Sequence, residues 1–198
     1  MRNKILYVAL LVTLGLTSCN KSSDITSNIV GSLEKDNIKE DTIVVYFSAT
    51  SHTEKVAKEI SEKLNVSIYN LEPVIPYTAS DLNYNDKNSR VVLEHNDVNR
   101  HVELKETSFS EYKDAKYVFL GAPVWWQELS WVVNDFLVNN VFENKTIIPF
   151  GTSASSNFKI DNLKQLVTNA TWTSPKRFSS NVNLNEVDQW IKELGFIE

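Results

Sequence analysis

Cysteine is almost absent from the 198-residue chain, which holds one, Cys19. An internal disulfide is therefore excluded, and a chain of this length needs none, since it buries roughly 70% of its unfolded surface on folding. Glycine and proline are scarce at five each, which excludes collagenous and low-complexity composition. No block of five or more Lys or Arg occurs, so no nucleic-acid partner is expected. Metal-site spacings such as H-x-x-x-H and H-E-x-x-H are missing. His95 and His101, with Glu94, Asp97 and Glu103, read as a solvated loop, and no metal is expected. A G-x-S-x-G elbow is missing too, which argues against a hydrolase built on His52. What remains, 42% hydrophobic and 23% charged residues, is the composition of one globular domain.

The N-terminus is of a different kind. Arg2 and Lys4 precede the apolar run from Ile5 to Leu16. That run is shorter than the roughly 20 residues of a membrane span and suits the apolar core of a signal peptide. Leu16-Thr17-Ser18-Cys19 follows and resembles the lipobox of bacterial lipoproteins, in which a peptidase cuts before the cysteine and the thiol receives a diacylglyceryl group. The resemblance implies a signal peptide over 1–18, lipid attachment at Cys19 and an extracytoplasmic protein held at the cell membrane by its lipid anchor. Without residues 1–18 the chain keeps 18 basic and 25 acidic residues, a formal −7. Electrostatic adhesion to anionic lipid is therefore not expected. Residues 19–40, rich in Asn, Lys, Ser, Asp and Glu, cannot bury enough apolar surface to offset ordering and read as a flexible tether. Its reach is roughly 25 Å.

From residue 41 to 198 apolar runs alternate with helical periodicity. Thr42–Phe47 is continuous and β-branched, as a strand buried on both faces requires. A helix is expected over Thr53–Leu64, with Val56, Ala57, Ile60 and Leu64 on one face. Strands are expected at Val66–Leu71, Tyr117–Leu120, Thr146–Phe150 and, more weakly marked, near Trp172. Further helices are expected around Trp131–Val138 and Ile160–Val167, and a last one carries Val187, Trp190, Ile191 and Leu194 before the stop at Gly195. Strands separated by helices mean a parallel sheet. Trp131, Trp172 and Trp190 read as core. Pro73–Thr107 breaks the rhythm, being long and polar with Tyr77, Tyr84 and Arg90 embedded in Asn and Asp, and reads as a loop of functional type.

In a doubly wound sheet, the loops leaving the carboxyl ends of neighbouring strands meet where ligands bind. The first of these, Ser48-Ala-Thr-Ser-His-Thr53, is hydroxyl-rich and opens a helix. Free amides at a helix N-terminus cradle a phosphate without Lys or Arg, although a plain capping turn has the same composition. The second, Gly121-Ala-Pro-Val-Trp-Trp-Gln127, puts two consecutive indoles on what reads as a loop, so at least one is exposed or covers a ligand. The third is Gly151-Thr-Ser-Ala-Ser-Ser-Asn157, again at a strand end.

Tyr46-Phe-Ser-Ala-Thr-Ser-His-Thr53 resembles the S/T-x-T-x-x-T phosphate loop of flavodoxins. Leu120–Trp126, Pro149–Ser153, the Tyr77…Asp81-Leu-Asn-Tyr84…Arg90 segment and the ending from Lys176 to Gly195 extend the resemblance, specifically to the flavodoxin-like branch found on bacterial lipoproteins. It implies an α/β fold, a flavodoxin-like doubly wound five-stranded parallel sheet of order 2-1-3-4-5 with helices on both faces, carrying one FMN. Carried over by position, Ser48, Thr50, Ser51, His52 and Thr53 would hold the phosphate. Pro123, Val124, Trp125 and Trp126 would form one wall for the ring system, with Trp125 the first choice for the ring contact and Trp126 the second. Thr152 and Ser153 would approach the other edge. Two departures from the family pattern stand out. Ser51 occupies a position where glycine is usual, which ordinary backbone angles would tolerate, and Ala154–Phe158 lacks the customary glycines. The expected role is extracytoplasmic electron transfer, as a carrier or an FMN-dependent oxidoreductase whose redox partner is not named by the sequence. The alternatives are an FMN-dependent NAD(P)H or quinone reductase and a flavin-free binding lipoprotein on the same scaffold.

Overall fold

The computed structural model describes residues 40–154 and 156–198. The leader, Cys19 and the tether expected over 1–18 and 19–40 lie outside the described residues, apart from Glu40. Among the described residues no helix is long and apolar enough to cross a membrane.

Five parallel strand positions build the sheet. Strand β1 (Thr42–Tyr46) lies between β2 (Ile68–Asn70) and β3 (Tyr117–Trp125), and β3 is followed outward by β5 (Thr146–Ser153). The fifth position is shared by β6 (Thr171–Trp172) and β7 (Lys176–Ser179), which pair with the first and second halves of β5. Spatially this is the expected 2-1-3-4-5 order with its last strand in two pieces. Proline explains the break. Around Pro149 the odd residues of β5 bond toward this edge, since Ile147 O accepts from Thr173 N–H and Ser153 O from Ser180 N–H. Pro149 has no N–H to offer there, and pairing lapses between Ile147 and Phe150.

Helices cover both faces, and the strands divide their side chains between them with period two. Val44 and Tyr46 of β1, Phe119 of β3 and Ile148 and Phe150 of β5 meet α1 (His52–Leu64) and α5 (Leu184–Glu193) through Val56, Ala57, Ile60, Leu64, Val187, Trp190 and Ile191. Ile43, Val45, Val118, Leu120 and Ile147 meet the opposite layer, where α2 (Arg90–Asn96), α3 (Val133–Val138) and α4 (Asp161–Leu166) bring Val91, Phe136, Leu137 and Leu163. Every residue of β1 is buried, which is why its sequence is apolar without alternation. Each fully buried side chain of this size contributes about 2 kcal/mol before ordering costs. Gly121 belongs to the packing, because a Cβ there would lie 2.1 Å from the Phe150 ring.

The structure corrects several boundaries. Strand β3 runs on to Trp125 and then folds back through a two-residue turn into β4 (Glu128–Leu129), so Gly121–Trp125 is strand rather than loop. The polar segment 73–107 is not all loop either. It contains α2, and its ends meet where Val74 N–H donates to Glu103 O (2.9 Å) and Lys105 N–H to Glu72 O (2.8 Å). Trp131 and Trp190 are buried, and Trp172 is partly buried against the core.

Candidate functional site

A cleft of about 580 Å³ opens at the carboxyl ends of β1, β3 and β5, within the size range of small-molecule sites. It gathers Thr50 and His52 from the first loop, Pro123, Val124, Trp125 and Trp126 from the second, and Thr152 and Ser153 from the third. Eight of the eleven expected cofactor-binding residues thus share one cavity.

The other three, Ser48, Ser51 and Thr53, lie beside it. Thr53 is fully buried, and its hydroxyl is 2.8 Å from that of Thr152, tying the start of α1 to the end of β5. Ser51 is the N-cap of α1, and its backbone is left-handed (φ 61°, ψ 2°). Its angles are therefore not the ordinary ones that would tolerate serine without strain; they suit glycine, and serine adopts them at a cost of order 1 kcal/mol. Its side chain makes no capping bond to the helix amides. The first backbone bond of α1 runs from Lys55 N–H to Ser51 O, so the amides of His52, Thr53 and Glu54 precede the helical ladder. Ser48 lines a smaller adjoining cleft of about 190 Å³ with Phe47, Asn70 and Tyr77. Its Oγ is buried and has no hydrogen-bond partner. A buried hydroxyl left alone costs of order 1–3 kcal/mol, a cost relieved by an acceptor that arrives with a ligand. Free amides, a helix N-terminus and an orphaned hydroxyl together fit a phosphate group.

The two consecutive indoles behave differently. Trp125 ends β3 and is only 2% exposed, held edge-on by Phe47, Tyr77 and Trp131. Trp126 lies in the turn and is 38% exposed. Both contribute to the cleft, and Trp126 has the more accessible ring surface.

Segment 73–107, read from sequence as a loop of functional type, supplies residues to the cleft that sequence reasoning had not assigned to it. Leu82 and Tyr84 line the cleft, and Tyr84 meets Trp126 edge-on at 5.3 Å. His95, read from sequence as part of a solvated loop, sits on α2 and stacks on Trp126 at 4.1 Å with a 9° interplanar angle. Its pKa is lowered, first by burial and then by the Arg100 charge. Glu94 beside it accepts hydrogen bonds from Tyr77 Oη (2.5 Å), Arg90 Nε (2.6 Å) and Trp131 Nε1 (2.8 Å). Burial and the Glu94 carboxylate together push the Tyr77 phenol well above its usual range, so it donates at all ordinary pH. The signal was in the sequence as the density of Tyr, His and Arg in a polar stretch, but nothing there indicated which indole they would meet.

Arg177 of β7 was also missed. It closes the third loop by donating to Ser153 Oγ (3.0 Å) and to the carbonyls of Ser153 and Ala154 (3.1 Å each). Ser153 Oγ in turn donates to Ser156 O (2.6 Å). The loop without glycines is thus held by side chains. Among the described residues no three His, Cys, Asp or Glu side chains gather closely enough to hold a metal ion.

A family model described as flavodoxin matches residues 41–194. The chain is similar to a protein from Bacteroides uniformis assigned as a flavoprotein, at 32% identity and a TM-score of 0.72, over 77% of this chain and 97% of that one. A protein from Bacteroides eggerthii with the same assignment is 26% identical, with a TM-score of 0.71, over 80% and 99% of the two chains. A flavoprotein of Lactobacillus acidophilus solved in complex with FMN shares the fold at 17% identity and a TM-score of 0.52, over 76% and 97%. No protein of curated function matches. With its strand order, its cleft and a family match over most of its length in agreement, the chain belongs to the flavodoxin family.

Proposed function

We propose that the protein binds FMN in this cleft and transfers electrons on the extracytoplasmic side of the membrane, anchored by lipid on Cys19. The observation that carries FMN binding is the buried, unpartnered Ser48 Oγ in the short loop that leads from β1 into the N-terminus of α1. Support for the ligand also comes from family membership and from the FMN carried by the Lactobacillus relative. The location rests on the Arg2–Cys19 leader pattern.

Bound FMN would supply the redox chemistry, and the protein would supply position and electrostatics. Ser48 Oγ and the amides of His52, Thr53 and Glu54 would hold the phosphate, with Thr50 and His52 at the cleft side of the same loop. Trp126, backed by Pro123, Val124 and Trp125, would wall the ring system. Thr152 and Ser153, fixed by Thr53 and Arg177, would close the remaining edge. The low-polarity wall and the net negative charge disfavour added negative charge at the site, so a low reduction potential is expected.

Titration with FMN and with riboflavin, followed by flavin fluorescence, tests the reading. Stoichiometric uptake of FMN, with riboflavin bound at least tenfold more weakly, supports a phosphate-reading site. Ser48→Ala is expected to weaken FMN about tenfold, the loss of one hydrogen bond to a charged group, without lowering the stability of the ligand-free protein. A folded protein that takes up neither ligand leaves the scaffold as a flavin-free binding module.

A further inference from the structure

We infer that His95 is a positioning residue for Trp126, and that segment 73–107 is the clamp that presents it; the inference rests on the FMN reading above. Trp126 and Gln127 have φ of 47° and 64°, so both residues of the turn between β3 and β4 are left-handed. Such turns favour Asn and Gly, and a bulky indole there is held at a cost of order 1 kcal/mol or more. Strain of this kind persists only where the surroundings fix the conformation. Here they are the imidazole of His95, parallel to the indole at 4.1 Å, and the edge of Tyr84 at 5.3 Å.

The imidazole is itself held from two sides. On the helix, Glu94 docks α2 against the scaffold through Trp131 Nε1, while Arg90 and Tyr77 complete its carboxylate. Beyond the helix, Arg100 donates to His95 O at 3.3 Å and lies 3.6 Å from the Glu128 carboxylate on β4, the strand that the Trp126 turn leads into. One face of the indole is therefore covered by an anchored ring, and the surface left exposed contributes to the cleft. The clamp preorganises a planar wall, and a ligand ring that stacks there does not bear the cost of immobilising it. His95 touches Trp126 and acts on the ligand through it.

The test compares His95→Ala, His95→Phe and Trp126→Phe with the parent in the full chain. The first readout is the near-ultraviolet circular dichroism of the ligand-free protein, with the Trp126 band defined by its loss in Trp126→Phe. In His95→Ala that band is expected to collapse, and the Kd for FMN and for riboflavin to rise together by about three- to tenfold, the range of one aromatic stack. His95→Phe, planar but uncharged, is expected to restore the band and bring both constants within about twofold of the parent. An unchanged band and unchanged affinity in His95→Ala, or a His95→Phe variant as impaired as His95→Ala, overturns the inference. If the parent binds no flavin, the FMN reading fails, and the circular dichroism comparison still decides whether His95 fixes the indole.

Discussion

On one side of the cleft, the six residues from Ser48 to Thr53 follow one another in the chain and owe their arrangement to a helix that begins there. On the other side, Trp126 is met by Tyr84 and His95, 42 and 31 residues earlier, carried by a segment with few backbone bonds to the sheet. The first wall is made of backbone donors whose direction is set by α1. The second is made of ring faces whose direction is set by packing. A backbone wall tolerates side-chain change until a hydroxyl is lost, whereas a wall of stacked rings fails as a unit when its anchor goes.

The largest expected effect is at that anchor. Glu94→Ala leaves Tyr77 Oη and Trp131 Nε1 without their acceptor and Arg90 without its counter-charge. With the carboxylate mostly buried, a loss of about 3 kcal/mol is expected in urea unfolding. The preference for FMN over riboflavin, which belongs to the other wall, should be unchanged. A fall in that preference would mean that the two walls are not independent. Next is Thr53→Val, which keeps the shape but removes the bond to Thr152 and strands a buried hydroxyl. About 1–2 kcal/mol of stability should go, with the Trp126 circular dichroism band intact.

The same contrast decides how much was legible beforehand. β1, α1 and α5 were readable because a buried strand and an amphipathic helix write their burial into consecutive residues, and the loop from Ser48 to the start of α1 was readable because it is local in the chain. The extension of β3 to Trp125 was not, since Pro123 and the tryptophans carry no period-two signal that separates strand from loop. The split of the edge strand followed from the direction of one missing N–H at Pro149, which depends on register and so on the finished sheet. Which of Trp125 and Trp126 is exposed was decided by a left-handed turn without glycine or asparagine, and His95 was misread because its stacking partner is remote in sequence.

Ser51 allows a smaller test of the backbone-built wall. Its φ of 61° is comfortable for glycine and costly for serine, and its side chain makes no capping bond to α1. Ser51→Gly is expected to stabilise the ligand-free protein by about 0.5–1 kcal/mol in thermal or urea unfolding, net of the extra freedom glycine gains when unfolded. FMN affinity should hold or improve, because the amides of the loop keep their direction. Destabilisation would mean that the Ser51 hydroxyl contributes more, through its contact with Glu54, than the backbone gains.

The pH dependence of the aromatic wall is smaller still, because the imidazole is only partly buried and solvent screens its charge. The His95 pKa is lowered from 6.5 by burial first and then by Arg100, against an opposing pull from Glu128. The unfolded chain therefore binds a proton at His95 more readily than the folded one. Its contribution to stability is complete above about pH 6.5 and is lost as pH falls from there through the lower folded pKa. Most carboxylates titrate below this window, but Glu59, raised by burial first and then by Asp188, shifts toward its acid end, so the effect is read between about pH 7 and 5 as the difference in slope between the parent and His95→Phe. His95→Phe should remove the His95 part of the slope while keeping the stack, and Thr53→Val should lower stability by the same amount at every pH in that range. Equal slopes in the parent and in His95→Phe would mean that the imidazole stacks on Trp126 as readily charged as neutral, and that the clamp responds to shape alone.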